Sequence, residues 1–311
     1  EGGEGRRIVF NEVSVEHDPN EIWESVLNCI NEVDKEFSID KLDSIGITNQ
    51  RETTLAWRKS TAQPLYNALV WQDTRTQNIC DELKEITELE ESFSKTGLPI
   101  ATYFSLSKIL WLLRNVEDVK QAREENDLFF GTIDSLLLFK LTGEHVTDVT
   151  NASRTLLMDL ESLKWMKDIL NTLEIPENSL PEIKPSLYNF GTNSELLKNV
   201  PLTSVLGDQQ AALFGQNCIN SGDVKNTYGT GCFALTKTGN EIVHSNNGLL
   251  STVAYQKEGE DPQYALEGSV SIAGAAVQWI RDNLNIIENS EDIESLAMSV
   301  KDNGDVYFVP A

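Results

Sequence analysis

The sequence predicts an α/β protein built on a mixed sheet, and three observations carry that prediction. Short apolar or β-branched runs alternate with stretches of helical period along the chain. Helix-start signals stand where those stretches begin, as at Asp18-Pro19, where Asp can cap and Pro suits the first turn. Finally, 40% of the 311 residues are apolar and six are Trp, enough to bury one large core or two ordinary ones and to exclude a disordered acidic tail.

In chain order, Ile22, Val26, Ile30 and Val33 recur at helical spacing after the Asp18 cap, and Cys29 on the same face is expected in the core. Residues 42–48 form an apolar run suited to a buried strand. Residues 53–57 and 68–71 are β-rich and split by a polar turn at 59–63. Helices are expected over 76–89, 105–115, 119–125, 135–141 and 163–173, the last ending before Ile175-Pro176. Residues 176–201 are rich in Pro, Asn and Ser and read as loops. A strand over 203–206 leads into a helix over 209–214. After residue 218 the texture changes to short strands at 224–228, 232–236, 249–255 and 263–267, then helices at 271–284 and 292–300. We therefore expect a domain boundary within 216–222, dividing 1–217 from 218–311. The loose start at 1–7, the lack of an initial Met and the strand-like run 306–309 read as two cut ends of something longer.

The charge balance excludes several functions. Lys plus Arg number 25 and Asp plus Glu 49, a difference of −24, whereas a nucleic-acid binder needs a basic face to displace counterions. No run is long and apolar enough for a membrane span. The four cysteines are widely spaced without a C-x-x-C pair, so a zinc site is not supported and reduced thiols in a cytoplasmic protein are expected. No secretory leader is visible. His17, His145 and His244 are isolated and read as polar turn residues. Asn151-Ala-Ser is a glycosylation sequon of the kind a long chain carries by chance. Homo-oligomerisation stays open.

Four segments carry residues suited to chemistry. Asn49-Gln50-Arg51-Glu52 follows a strand, where α/β sheets place ligands. Arg51 can donate to a polyol's hydroxyl oxygens and Glu52 can accept its hydroxyl hydrogens, while a solvated turn explains the same residues equally well. Gly207-Asp208-Gln209-Gln210 again follows an apolar run. Asp208 is either a helix cap or a general base aimed into a cleft. Thr227-Tyr228-Gly229-Thr230-Gly231 joins two strands and matches neither a Rossmann nor a Walker loop. Its backbone N–H groups can nest a phosphate, or it is a plain hairpin. Small residues between Gly268 and Gln278 crowd a helix entry, which attracts phosphate or merely allows close packing. Trp71 and Tyr103 lie beside polar loops. No nucleophile elbow or Ser-His-Asp set has local support.

Taken together, the chain resembles the glycerol kinases of the FGGY carbohydrate-kinase family. The matching stretches are Gly46-Ile-Thr-Asn-Gln-Arg-Glu-Thr-Thr54, Tyr103-Phe-Ser-Leu-Ser-Lys-Ile-Leu-Trp-Leu-Leu-Arg-Asn115, Thr147-Asp-Val-Thr-Asn-Ala-Ser-Arg-Thr155, Gly207-Asp-Gln-Gln-Ala-Ala-Leu-Phe-Gly215, Asn226-Thr-Tyr-Gly-Thr-Gly-Cys-Phe233 and Tyr264-Ala-Leu-Glu-Gly268. The resemblance implies an actin-like ATPase architecture of two RNase H-like domains, truncated at both termini: residues 1–217 would be the polyol-binding domain without its first hairpin, and 218–311 the start of the nucleotide-binding domain. It implies ATP-dependent phosphorylation of glycerol to sn-glycerol 3-phosphate with Mg²⁺. Arg51, Glu52, Tyr103, Asp208 and Gln209 would bond the glycerol hydroxyls, and Trp71 and Phe233 would wall its carbons. Asp208 would be the base and would hold Mg²⁺ through water. Thr230, Gly231, Gly274 and Gln278 would lie near the ATP phosphates. The family's Asp-x-Gly-Thr-Thr-Ser-x-Arg loop has no counterpart here, so the isolated chain is expected to turn over little. Two alternatives stand beside this reading: a non-catalytic form that binds a polyol or a partner, and another sugar kinase of the same family.

Overall fold

The structure, a computed structural model, describes residues 8–11, 14–270 and 272–308; the expected loose start at 1–7, residue 271 and the last residue of the 306–309 run lie outside the described residues. Strands β1 (Ile8–Asn11) and β2 (Ser14–His17) pair antiparallel. Helix α1 (Pro19–Phe37) follows, capped as its sequence requires: the Asp18 carboxylate accepts the Asn20 N–H at 2.8 Å. Next come β3 (Ile45–Asn49), β4 (Thr54–Arg58) and β5 (Ala68–Leu69). The expected helix 76–89 is shorter, α2 (Gln77–Lys84), followed by α3 (Glu90–Lys95). It breaks where the β-branched pair Ile86-Thr87 lowers helix propensity. Helices α4 (Ser105–Asn115) and α5 (Glu117–Glu124) agree with expectation within two residues.

Strand β6 (Leu128–Thr132) was not foreseen, nor were β7 (Val146–Asp148) and the single-turn α7 (Val149–Ala152) that follow α6 (Ile133–Thr142). Helix α8 (Lys167–Thr172) starts later than 163 because Trp165 bridges back to Met158. The supposed loop 176–201 contains β8 (Glu182–Lys184) and β9 (Leu187–Gly191). Then come β10 (Leu202–Gly207), α9 (Asp208–Gly215), β11 (Val224–Tyr228), β12 (Cys232–Gly239), β13 (Leu250–Tyr255) and β14 (Gln263–Val270). Helix α10 (Gly274–Trp279) passes into a π-helical turn over Ile280–Leu284, and α11 spans Asp292–Met298. Among the described residues 306–308 form no strand.

The strands make four sheets, ordered β1-β2-β5-β4-β6, β3-β10-β9, β11-β12-β14-β13 and β7-β8. The pair β3–β10 is parallel, so the sheet arrangement is mixed, as the alternation of elements predicts. Helix α6 joins two of the sheets. It is apolar nearly all round, which a helix tolerates only when buried on several sides. Leu136 and Leu137 pack with Leu55 and Trp57, while Leu138 and Leu141 pack with Leu202 and Val205. The helix ends at Gly143, whose φ of 81° is the left-handed cap that glycine adopts at least cost.

Two expectations are corrected. Cys29 is exposed, not core. The apolar face of α1 stands off β3 and leaves a groove of about 690 Å³ lined by Ile22, Val26, Ile30 and Ile45. His145 is not a polar turn residue. Its ring stacks on Phe129 at 3.7 Å and meets the edge of Trp57 at 5.2 Å, and its Nε2–H donates to the Phe130 carbonyl at 2.8 Å. The sequon is occluded, since Asn151 is fully buried.

Burial pushes the His145 pKa down to about 4, against the opposing hydrogen bond to Phe130. Below its usual value of 6.5 the unfolded chain takes up a proton that the folded state refuses until about pH 4, so stability falls on acidification through that window. His145→Phe is expected to lose most of this dependence. The difference in unfolding free energy between pH 7 and pH 4.5 should shrink by about 2–3 kcal/mol. Urea titration at both pH values measures it, and equal pH dependence in variant and parent would refute the assignment.

Candidate active site

The site is built where two parallel strands end together. Strand β10 runs beside β3 with Gly207 opposite Asn49, so the residues that leave both strands emerge side by side. From β3 come Gln50, Arg51 and Glu52. From β10 come Asp208 and Gln209, which open α9. Glycine is required at 207 because an added Cβ would lie 2.7 Å from the Arg51 stem. Glu52 sits at φ 59°, an uncommon backbone state for a non-glycine residue. Two hydroxyls pin that turn by donating to the Glu52 carbonyl, Thr54 at 2.7 Å and Ser105 at 3.1 Å.

These residues, with Trp71, Tyr103 and Phe233, line one small cavity of about 40 Å³. The structure therefore brings together all seven residues expected around a polyol, and adds Gln50. Trp71 is the centre of the wall: its ring meets Tyr103 edge-on at 5.5 Å and Phe233 at 6.0 Å. The polar groups line the same cavity. The Asp208 side chain is 44% exposed, and its Oδ1 lies 3.5 Å from Arg51 Nε. Asp208 is not the cap, since Gly207 precedes the first helical residue. Its carboxylate accepts the Gln209 N–H at 2.8 Å and the Gln209 side-chain amide at 3.2 Å.

Behind the cavity lies a buried charge network. Arg51 donates from Nη1 to Glu267 Oε2 at 2.5 Å, from Nη2 to Glu267 Oε1 at 3.0 Å, and from Nη1 to Gln210 at 3.2 Å. Arg154 donates from Nε to Glu52 Oε1 at 2.6 Å and from Nη2 to Glu267 Oε1 at 2.9 Å. Burial alone would raise the Glu267 carboxyl, but the Arg154 and Arg51 guanidiniums outweigh it and hold the pKa at about 2. At Glu52 burial wins, and the pKa is raised despite Arg51 and Arg154. Lys225 donates to Gln209 Oε1 at 2.5 Å and to the Phe233 carbonyl at 3.1 Å, and burial brings its pKa down to about 8.

The segments expected near phosphates also meet. Thr230 and Gly231 lie in the turn between β11 and β12. The N–H of Ala273 donates to the Thr230 carbonyl at 2.8 Å and that of Gly274 to the Gly229 carbonyl at 2.9 Å. An added Cβ on Gly274 would come within 2.5 Å of that carbonyl, so glycine is needed there for close approach. Gln278 lies one turn further along α10 and is exposed. No group of three or more His, Cys, Asp or Glu suited to a metal occurs among the described residues.

Sequence reasoning assigned no role to Arg154, Lys225 or Glu267. A signal existed for two of them, because a charged residue inside an expected strand, as at 225 and 267, is rarely buried without a partner. Arg154 offered none in its local pattern, since a polar stretch outside any expected helix or strand looks solvated.

The strand-end site, with its converging charges and aromatic wall, is one end of a family fold. The chain belongs to the FGGY family of carbohydrate kinases: the family's N-terminal domain model matches residues 7–215 and its C-terminal domain model residues 224–311. Among curated relatives it is similar to the glycerol kinase of Brucella anthropi, 53% identical over 305 residues, which cover 96% of this chain and 61% of the relative. The glycerol kinase of Clavibacter michiganensis is 50% identical over 306 residues, with coverage of 96% and 61%. The crystal structure of Plasmodium falciparum glycerol kinase with ADP matches with a TM-score of 0.87 and 39% identity, over 96% of this chain and 61% of that one. A gluconate kinase from Lactobacillus acidophilus, 22% identical with a TM-score of 0.81, covers 95% of this chain and 60% of its own, and shows the shared fold alone. The chain thus spans about three-fifths of the length of the relatives it matches, and the expected actin-like kinase fold is borne out.

Proposed function

We propose that the protein phosphorylates glycerol with ATP, giving sn-glycerol 3-phosphate and ADP. The observation that carries this is the one small cavity that Arg51, Glu52, Asp208 and Gln209 line together with the rings of Trp71, Tyr103 and Phe233. The cavity is small, about 40 Å³. That suits a three-carbon triol better than a pentulose or a gluconate. Arg51 and Gln209 donate to hydroxyl oxygens, Glu52 and Asp208 accept from hydroxyl hydrogens, and Trp71 and Phe233 cover the carbons. Asp208, the solvent-reaching carboxylate, takes the proton as the terminal hydroxyl oxygen attacks the γ-phosphorus and ADP departs.

The nucleotide reading rests on Thr230, Gly231, Gly274 and Gln278, and on a division of the chain at 217/218 with polyol on the first part and nucleotide mostly on the second. The joined Gly229 turn and α10 entry support it. Magnesium supplies charge neutralisation on the phosphates when bound. The described residues offer no cluster of three or more metal-suited side chains, so a magnesium would be carried mainly by phosphate and water, and Asp208 would be the carboxylate that holds it through water. The net charge of −24 makes such local compensation necessary for a polyanionic substrate. No described helix is long and apolar enough to cross a membrane, and we place the protein in the cytoplasm.

The test is coupled ADP release by the protein expressed from its complete reading frame, with glycerol, D-xylulose and D-gluconate offered in parallel. Turnover should be selective for glycerol, and the 311-residue stretch alone should show little. Preference for xylulose or gluconate would overturn the substrate. Equal absence of turnover from the complete protein, with glycerol still bound, would favour the non-catalytic binding form.

A further inference from the structure

We propose that Glu267 and Arg154 are positioning residues for polyol recognition, a brace through which β14 sets the geometry of Arg51 and Glu52. The inference rests on the polyol reading above.

Neither residue lines the cavity, yet together they hold both charged residues that do. Glu267 and Arg154 are 0% exposed. Glu267 takes the two ends of the Arg51 guanidinium at 2.5 and 3.0 Å, and Arg154 at 2.9 Å. Arg154 then takes Glu52 at 2.6 Å, closing a chain Arg51–Glu267–Arg154–Glu52. Two cations and two anions alternate, so each buried charge has an opposite neighbour. The Arg154 guanidinium lies over the Tyr103 and Phe104 rings at 5.7 and 5.4 Å, so it also seats a third lining residue, Tyr103.

The arrangement decides which atoms remain for a ligand. With its Nη atoms tied to Glu267, Arg51 keeps only Nε near the cavity carboxylates, 3.5 Å from Asp208 and 3.8 Å from Glu52. Without Glu267 those two carboxylates are the remaining anions within reach, and the guanidinium would close on the oxygens that should meet hydroxyl hydrogens. Glu267 thus keeps Arg51 oriented and Asp208 free. The brace comes from the strand that also fixes the wall: β14 pairs with β12, with Glu267 opposite Leu235 and Ser269 opposite Phe233. Glu267 belongs to the part matched by the C-terminal domain model, whereas Arg51, Glu52 and Arg154 belong to the part matched by the N-terminal one. Polyol affinity therefore depends on the register of a strand in the other part of the chain.

The experiment is Glu267→Gln in the protein from its complete reading frame, with glycerol and ATP titrated separately. Gln keeps the volume and one acceptor but not the charge. Loss of one charged hydrogen bond should raise the glycerol Kd and KM by about tenfold or more, with the ATP KM within roughly twofold. Arg154→Lys, which cannot span both carboxylates, should show the same selective rise. A purely structural role would lower the unfolding midpoint and leave glycerol affinity within roughly twofold, and that result overturns the inference. Should neither variant fold, hydrogen exchange of the parent protein decides. Saturating glycerol should slow exchange across Glu267 and Arg154 as well as in the lining segments, and slowing confined to the lining segments overturns the proposal. If the parent binds no glycerol, the polyol reading fails instead, so the two failures are distinguishable.

Discussion

Asp208→Asn in the protein expressed from its complete reading frame is expected to lower kcat by about 10²-fold or more while glycerol binding stays measurable. Positioned general bases contribute about that much. The substitution changes little else. Asn keeps the side-chain volume and an oxygen that can still accept the Gln209 N–H now held at 2.8 Å. The glycerol contacts proposed for Arg51, Glu52, Tyr103 and Gln209 do not require the Asp208 charge. What is lost is the acceptor for the hydroxyl proton. A pre-steady-state burst assay gives the chemical step and calorimetry gives glycerol binding. An unchanged kcat would remove Asp208 from the role of base, and loss of binding with unchanged kcat at saturation would make it a binding residue only.

Arg51→Met is expected to cost about 3–5 kcal/mol of stability, the usual penalty for stranding a buried charge. Arg51 is 2% exposed and satisfies Glu267 with two bonds. Its removal leaves Glu267 and Glu52 sharing Arg154 as their hydrogen-bonded cation. Adding Glu267→Met to this variant leaves the balanced pair Arg154–Glu52 and should recover part of the loss. Urea unfolding of the parent, the single and the double variant measures this. A double variant no more stable than the single one would show that the network contributes through packing rather than charge balance.

Much of the architecture was legible. The Asp18 cap, α4, α9 and the β11–β12 hairpin carry local signals: a capping carboxylate, helical spacing of apolar residues, and strands flanking a Gly-Thr-Gly turn. These features are decided by residues within a turn or two of one another, so the sequence shows them directly. Strands β6, β7 and β8 were missed because their partners are distant in sequence, and β9 because it lies in a stretch rich in Pro, Asn and Ser. Leu128–Thr132 becomes a strand by pairing with Thr54–Arg58, and nothing near residue 128 announces that.

The site divides in the same way. The residue types at its core, Arg51-Glu52 after one strand and Asp208-Gln209 after another, were visible from their placement at strand ends, and the family resemblance tied them together. Three things came only from the tertiary structure. One is the parallel pairing of β3 with β10 that sets those ends side by side. Another is the packing that sets His145 against Phe129 and Trp57 and leaves Cys29 exposed. The last is the network through Arg154 and Glu267. The physical reason is the same in each case. Caps, periods and turns depend on neighbours in the chain, whereas desolvation and charge pairing depend on neighbours in space. By itself, then, the sequence determined the elements and the chemical groups this protein carries, and the packing of distant strands decided which of those groups share one buried, low-dielectric site.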